Sequence, residues 1–303
     1  MKGKASQAGW KRIVKFIKGL EGEERAEALA FAQEPVRSWS PGVRRLELKS
    51  KELPHPCWPL LGSVAIRGRY DEARFELPAD SAHIRELSLL GFDGLEALDG
   101  LEHFTGLTHL SLSGALPRVD ALAKLTALEE LSLEGLYNLD DLRALSGLSK
   151  LRTLSLARKA KDLTPLAGLA TLRELSLTWR EGALEDSLGL SQLTGLTHLW
   201  LRRSAELTTL DALEPLVELE LLQLSGCEQL ADIRALAKLP KLQVLDLGQC
   251  TSLVDLSPLL ACPALNNLVL EGAEAVAVPP EVGRMYGDAL TAYLDVLRDA
   301  ASS

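Results

Sequence analysis

The feature that most constrains this chain is a nine-residue phrase that returns at a near-constant interval. Leu219 to Cys227 reads Leu-Glu-Leu-Leu-Gln-Leu-Ser-Gly-Cys, and Leu242 to Cys250 restates it 23 residues later as Leu-Gln-Val-Leu-Asp-Leu-Gly-Gln-Cys. Side chains alternate across a β-strand, so Leu222 and Leu224 are expected to point inward while Leu221, Gln223 and Ser225 face out. One such unit cannot bury its own leucines, and neighbouring units must stack to do so.

The phrase can be followed through most of the chain. A degenerate form begins at Val43-Arg-Arg-Leu46-Glu-Leu48, and Leu61-Gly-Ser-Val64-Ala-Ile66 keeps the apolar positions with β-branched substitutes. The phrase then restarts at Ile84, Leu107, Leu128, Leu151, Leu172, Leu196, Leu219, Leu242 and Leu265, in steps of 23, 21, 23, 21, 24, 23, 23 and 23. Aliphatic runs held to such a period predict one array of nine or ten parallel strands and no second globular domain. Composition agrees: 47% of residues are hydrophobic but only 5% aromatic, which suits a repeated Leu and Ala interior.

An array exposes its core and an unpaired strand edge at each end, and both need cover. At the start, Trp10, Ile13, Val14, Ile17 and Leu20 form one apolar helical stripe, with Lys11, Arg12, Lys15 and Lys18 on the remaining surface. A second helix is expected over about Glu23 to Gln33, carrying Ala26, Leu29, Ala30 and Phe31, with Pro35 as its stop. At the other end Pro279-Pro280 breaks the strand pattern, and Tyr286, Leu290, Tyr293, Leu294 and Leu297 recur at helical spacing. The expected division is an N-terminal helical cap with a degenerate first repeat over 1–60, the repeat array over 61–272, and a C-terminal capping helix over 273–303.

The second half of each unit, such as Asp255-Leu-Ser-Pro-Leu259 or Asp162-Leu-Thr-Pro-Leu166-Ala-Gly-Leu169, resembles the short internalin-like class of leucine-rich repeats, over about residues 61 to 272. The resemblance implies an α/β fold: a right-handed leucine-rich repeat solenoid with a parallel concave sheet, short convex helical turns and protein recognition on the concave face. The Asn or Cys usual at the ninth position of that class occurs here only as Cys227 and Cys250. Gly91, Gly114, Gly135, Gly226 and Gly272 recur one residue earlier, which points to tight strand exits.

Charge and cysteine usage exclude several functions. A formal charge of −9 opposes the phosphate attraction that dominates nucleic-acid binding, so neither DNA nor RNA is an expected partner. Cys57, Cys227, Cys250 and Cys262 form no C-x-x-C pair, and no zinc spacing, metal site or cofactor site emerges. Cys227 and Cys250 read as small inward groups with a weak S–H donor. No apolar run reaches membrane-spanning length, and Lys15 and Lys18 interrupt the stretch that a signal peptide would need, so a cytoplasmic location is expected. The basic face of the first helix leaves attachment to a membrane surface as a less favoured alternative to capping.

With the leucines committed to the core, function must be encoded on the outward positions. The middle ladder runs Ser88, Ser111, Ser132, Ser155, Ser176, Trp200, Gln223, Asp246 and Val269; beside it run Glu86, His109, Glu130, Thr153, Glu174, His198, Leu221, Val244 and Asn267. Trp179, Arg180, His198, Trp200, Arg202 and Arg203 should converge on a protein-binding patch, because Trp and Arg are enriched at interface hot spots. An acidic or loop-presenting protein would suit it, with Glu86, His109, Glu130 and Glu174 as a secondary flank. A non-catalytic adaptor is thus the favoured function. The enzymatic alternative, a hydrolase or ligase, would use Ser111, His109 and Glu130 as nucleophile, base and orienter, but no nucleophile turn or oxyanion loop accompanies them. A purely local role, with Trp179 stacked on Arg202, competes with the interface reading.

Overall fold

The computed structural model describes residues 5–68, 74–93, 97–114, 116, 119–136, 139–157, 162–178, 189–204, 206–273 and 283–301. The chain forms two compact units, Met1–Tyr137 and Asn138–Ser303.

In the first unit, α1 (Gln7–Lys18) starts where the Ser6 hydroxyl accepts from the Gly9 N–H at 3.1 Å. Its stripe of Trp10, Ile13, Val14 and Ile17 is buried, and Trp10 Nε1 donates to the Arg45 carbonyl at 3.0 Å, tying the helix to the first strand. Helix α2 (Gly22–Arg37) departs from expectation in two ways. It runs through Pro35 to Arg37 rather than stopping, and it buries Ala32 and Val36, one turn apart, while Phe31 is 65% exposed. A proline removes one helical N–H, a loss that burial of Val36 in the following turn offsets.

Five strands of this unit are parallel and in register: β1 (Arg45–Lys49), β2 (Ser63–Arg67), β4 (Glu86–Phe92), β6 (His109–Gly114) and β7 (Glu130–Leu136). Two short strands absent from the sequence reading, β3 (Arg74–Glu76) and β5 (Ala97–Asp99), pair parallel in a separate sheet.

The second unit continues the pattern with six parallel strands, β8 (Thr153–Ala157), β9 (Glu174–Thr178), β10 (His198–Arg202), β11 (Leu221–Gln223), β12 (Val244–Asp246) and β13 (Asn267–Val269). Among the described residues the repeat phrases therefore form eleven parallel strands, beyond the nine or ten expected, because both degenerate opening phrases form full strands. The last strand, β14 (Arg284–Tyr286), pairs antiparallel with β13 and leads into α3 (Gly287–Ala301). Tyr286 lies in that strand and is 67% exposed; Met285, Leu290 and Tyr293 are the buried contacts. Pro279 and Pro280 lie outside the described residues.

Both units share one construction, the leucine-rich repeat solenoid. Leu87, Leu110 and Leu131 form one inward row in the first unit, and Leu154, Leu175, Leu199, Leu222, Leu245 and Leu268 one in the second, each almost fully buried. On the return path short 3₁₀ turns replace strands. The recurrent aspartate explains how they start: Asp162, Asp232 and Asp255 each accept the backbone N–H two residues on, at 2.9, 2.9 and 2.8 Å. This Asx turn supplies a partner for an N–H that has none within the turn.

Strand exits follow a rule sharper than the glycine pattern predicts. In four consecutive repeats the residue before the ninth position is left-handed: Arg203 (φ 57°), Gly226 (φ 81°), Gln249 (φ 60°) and Gly272 (φ 76°). The backbone demands this conformation at that site whatever the side chain, and only glycine adopts it without steric cost.

Candidate protein-binding face

The outward ladders form as the period-2 reading requires. In the first unit Glu86, His109 and Glu130 are neighbours in register, as are Ser88, Ser111 and Ser132. In the second, Thr153, Glu174, His198, Leu221, Val244 and Asn267 form one row, and Ser155, Ser176, Trp200, Gln223, Asp246 and Val269 the next.

The expected patch is brought together in part. His198 and Trp200 project from the same side of β10 and stack, with ring centroids 5.8 Å apart and planes at 19°. The Thr197 hydroxyl lies 2.9 Å from His198 Nδ1 and 3.2 Å from the Arg173 carbonyl, within hydrogen-bond reach of both. The imidazole is thus held in orientation beside the indole. Arg202 is exposed at the end of β10 and its Nε donates to Gln223 Oε1 at 2.9 Å. Gln223, which the sequence reading did not single out, was detectable as the residue one repeat from Trp200. Arg203 is exposed and held by its N–H to the Ser225 carbonyl at 2.9 Å. Trp179 and Arg180 lie outside the described residues, and with them the suggested stacking of Trp179 on Arg202.

The acidic flank has its own fixed pair. His109 Nε2 lies 3.3 Å from Glu130 Oε1, and its Nδ1 is hydrogen-bonded to the Thr108 hydroxyl at 2.8 Å. Both ring nitrogens are thereby engaged and neither is directed at the Ser111 hydroxyl, so the arrangement lacks the nucleophile-to-base contact that acyl transfer needs. In the second unit Glu174 Oε2 accepts from Thr153 Oγ1 at 3.4 Å.

The thiols occupy the core. Cys227 and Cys250 are fully buried, with Sγ donating to the Leu201 and Leu224 carbonyls at 3.1 and 3.4 Å. Burial pushes the Cys227 thiol up to about 11 and that of Cys250 to about 12, which suppresses the thiolate that redox or ligase chemistry requires. Among the described residues no group of three or more His, Cys, Asp or Glu is placed to hold a metal ion. None of the described helices is long and apolar enough to cross a membrane. Of the apolar side of α1, Trp10, Ile13, Val14 and Ile17 are buried in the first unit, and Phe16 is 57% exposed.

An internalin of Listeria monocytogenes has the same architecture: TM-score 0.54 and 25% sequence identity, over 63% of this chain and 55% of that one. The chain is an internalin-like leucine-rich repeat protein. Internalin C2 of Listeria monocytogenes is also similar, at TM-score 0.40 and 25% identity over 66% of this chain and 81% of that one. A leucine-rich repeat protein of Leptospira interrogans aligns at TM-score 0.42 and 17% identity over 80% and 81%. The match spans just over half the length of the first internalin. No family model and no curated protein matches the sequence. At the general level, the likeness of this leucine-rich repeat protein to an internalin supports a protein-interaction scaffold.

Proposed function

We propose that this leucine-rich repeat protein is a non-catalytic, cytoplasmic adaptor that binds a protein partner on the outward face of its strands, centred on Trp200. The observation that carries this reading is the fixed His198–Trp200 stack on a strand ladder whose preceding members are serines. A rigid aromatic anchor presents contact area at little entropic cost on binding, and Arg202 beside it supplies directional donors. An acidic loop would complement Arg202 and Arg203, with Glu86, His109 and Glu130 of the first unit and Glu174 of the second as further candidate contacts. Four unpaired cysteines, all buried, support a reducing compartment.

The test is a Trp200→Ala, Arg202→Ala double variant, compared with wild type for melting temperature and for affinity capture from a lysate. A stoichiometric partner retained by wild type and lost by a variant of similar melting temperature is the expected result. Unchanged yield in a folded variant removes this patch from the interface.

A further inference from the structure

A polar cavity of about 510 Å³ in the first unit lies apart from the outward ladders, lined by Arg37 of α2, by Arg44 and Arg85 just before β1 and β4, and by Asp80 and His83. Two of the three guanidiniums are positioned by backbone carbonyls. Arg44 donates from Nε to the Trp39 carbonyl at 3.0 Å and from Nη1 to the Leu60 carbonyl at 3.1 Å. Arg85 Nη1 donates to the Ala82 and Gly106 carbonyls at 3.1 and 2.6 Å.

Glycines make the room in which these groups lie. A Cβ at Gly62 would sit 3.0 Å from Arg44 Cζ, and one at Gly106 would sit 1.7 Å from Arg85 Nη1. Gly195 serves Arg173 in a similar way in the second unit, so turn closure accounts for an anchored arginine. It does not account for a cavity onto which three converge. Arg37 is the exposed member, and its ion pair among the described residues is a 3.4 Å contact with Glu34, worth little in water.

We propose that Arg37, Arg44 and Arg85 form a binding site for a dianionic oxyanion of the phosphate-monoester type. Three guanidiniums against the single carboxylate of Asp80 leave an excess of two positive charges among the lining residues, matching such a dianion. Burial, then Arg85 and Arg37, hold the Arg44 guanidinium below its ordinary range; these like charges repel, and a bound oxyanion would relieve that repulsion. The forked donors left free on Arg44 and Arg85 suit bidentate contact, and the cavity has room for more than a bare phosphate.

The experiment is calorimetric titration of the full chain at low ionic strength with inorganic phosphate and, separately, O-phospho-L-serine. Saturable 1:1 binding of at least one is expected, weakened roughly tenfold or more by Arg37→Gln, the loss of one charge-assisted contact. Asp80→Asn, which removes the opposing carboxylate, should tighten it severalfold. Tighter binding of O-phospho-L-serine identifies a phosphoryl group carried on a side chain as the source, and tighter binding of phosphate identifies the free ion. Absence of saturable heat with both probes overturns the proposal, as does binding unaffected by Arg37→Gln in a chain of unchanged melting temperature.

Discussion

Leu221 and Leu222 are the same residue type one position apart on β11, and they offer a direct test of how the repeats are held together. Leu222 is fully buried between Leu199 and Leu245, whereas Leu221 sits half-buried on the outward face between His198 and Val244. Truncation of Leu222 to Ala removes three carbons from the core, about 2.4 kcal/mol at ~0.8 kcal/mol per buried methylene. A residual void of roughly 60 Å³ would add about 1.5 kcal/mol, at ~24 cal/mol per Å³. The sum, about 4 kcal/mol, falls in the ~2–5 kcal/mol range for such changes. Leu221→Ala should cost under about 1 kcal/mol, because water already reaches that side chain and no void forms. Urea unfolding followed by far-ultraviolet circular dichroism measures both, and a lowered m-value for Leu222→Ala would show the array parting at this repeat. A loss below about 1 kcal/mol for Leu222→Ala, or equal losses for the two variants, would refute the alternating assignment.

Two further predictions rest on other parts of the chain. Arg203→Gly relieves a left-handed residue of ~1–2 kcal/mol of steric cost while adding ~0.5–1 kcal/mol of chain entropy, so a net gain of about 0.5–1 kcal/mol is expected in thermal or urea unfolding. Desolvation by burial, with Lys18 adding to it, lowers His55 from 6.5 to about 4. Between those values the unfolded chain binds a proton that the folded chain does not. Stability should therefore fall by roughly 2–3 kcal/mol as pH drops from about 6.5 to about 4, and His55→Gln should flatten that part of the pH–stability profile.

The sequence by itself determined the inward positions, the strand register and the rows of outward residues. Burial at Leu199, Leu222 and Leu245 is imposed by the same local alternation in every repeat, so the period in the chain maps directly onto the period in space. Only the tertiary structure decided what does not repeat. Helix α2 continues past Pro35 because Val36 finds a buried site there, while Phe31 lines an open groove shared with Phe16 and Leu20 and stays exposed. The antiparallel β14 and the separate pairing of β3 with β5 depend on chain paths that no periodicity encodes. Side-chain pairing on the outward face is likewise a three-dimensional outcome. A shared Thr-His-Leu sequence places both imidazoles on a threonine hydroxyl, yet His109 meets a carboxylate and His198 an indole, because the neighbouring repeat supplies Glu130 in one case and their own strand supplies Trp200 in the other. Arg37 and Arg44 are near neighbours in the chain, but Arg85 belongs to another repeat, and only the folded chain brings the three like charges to one cavity.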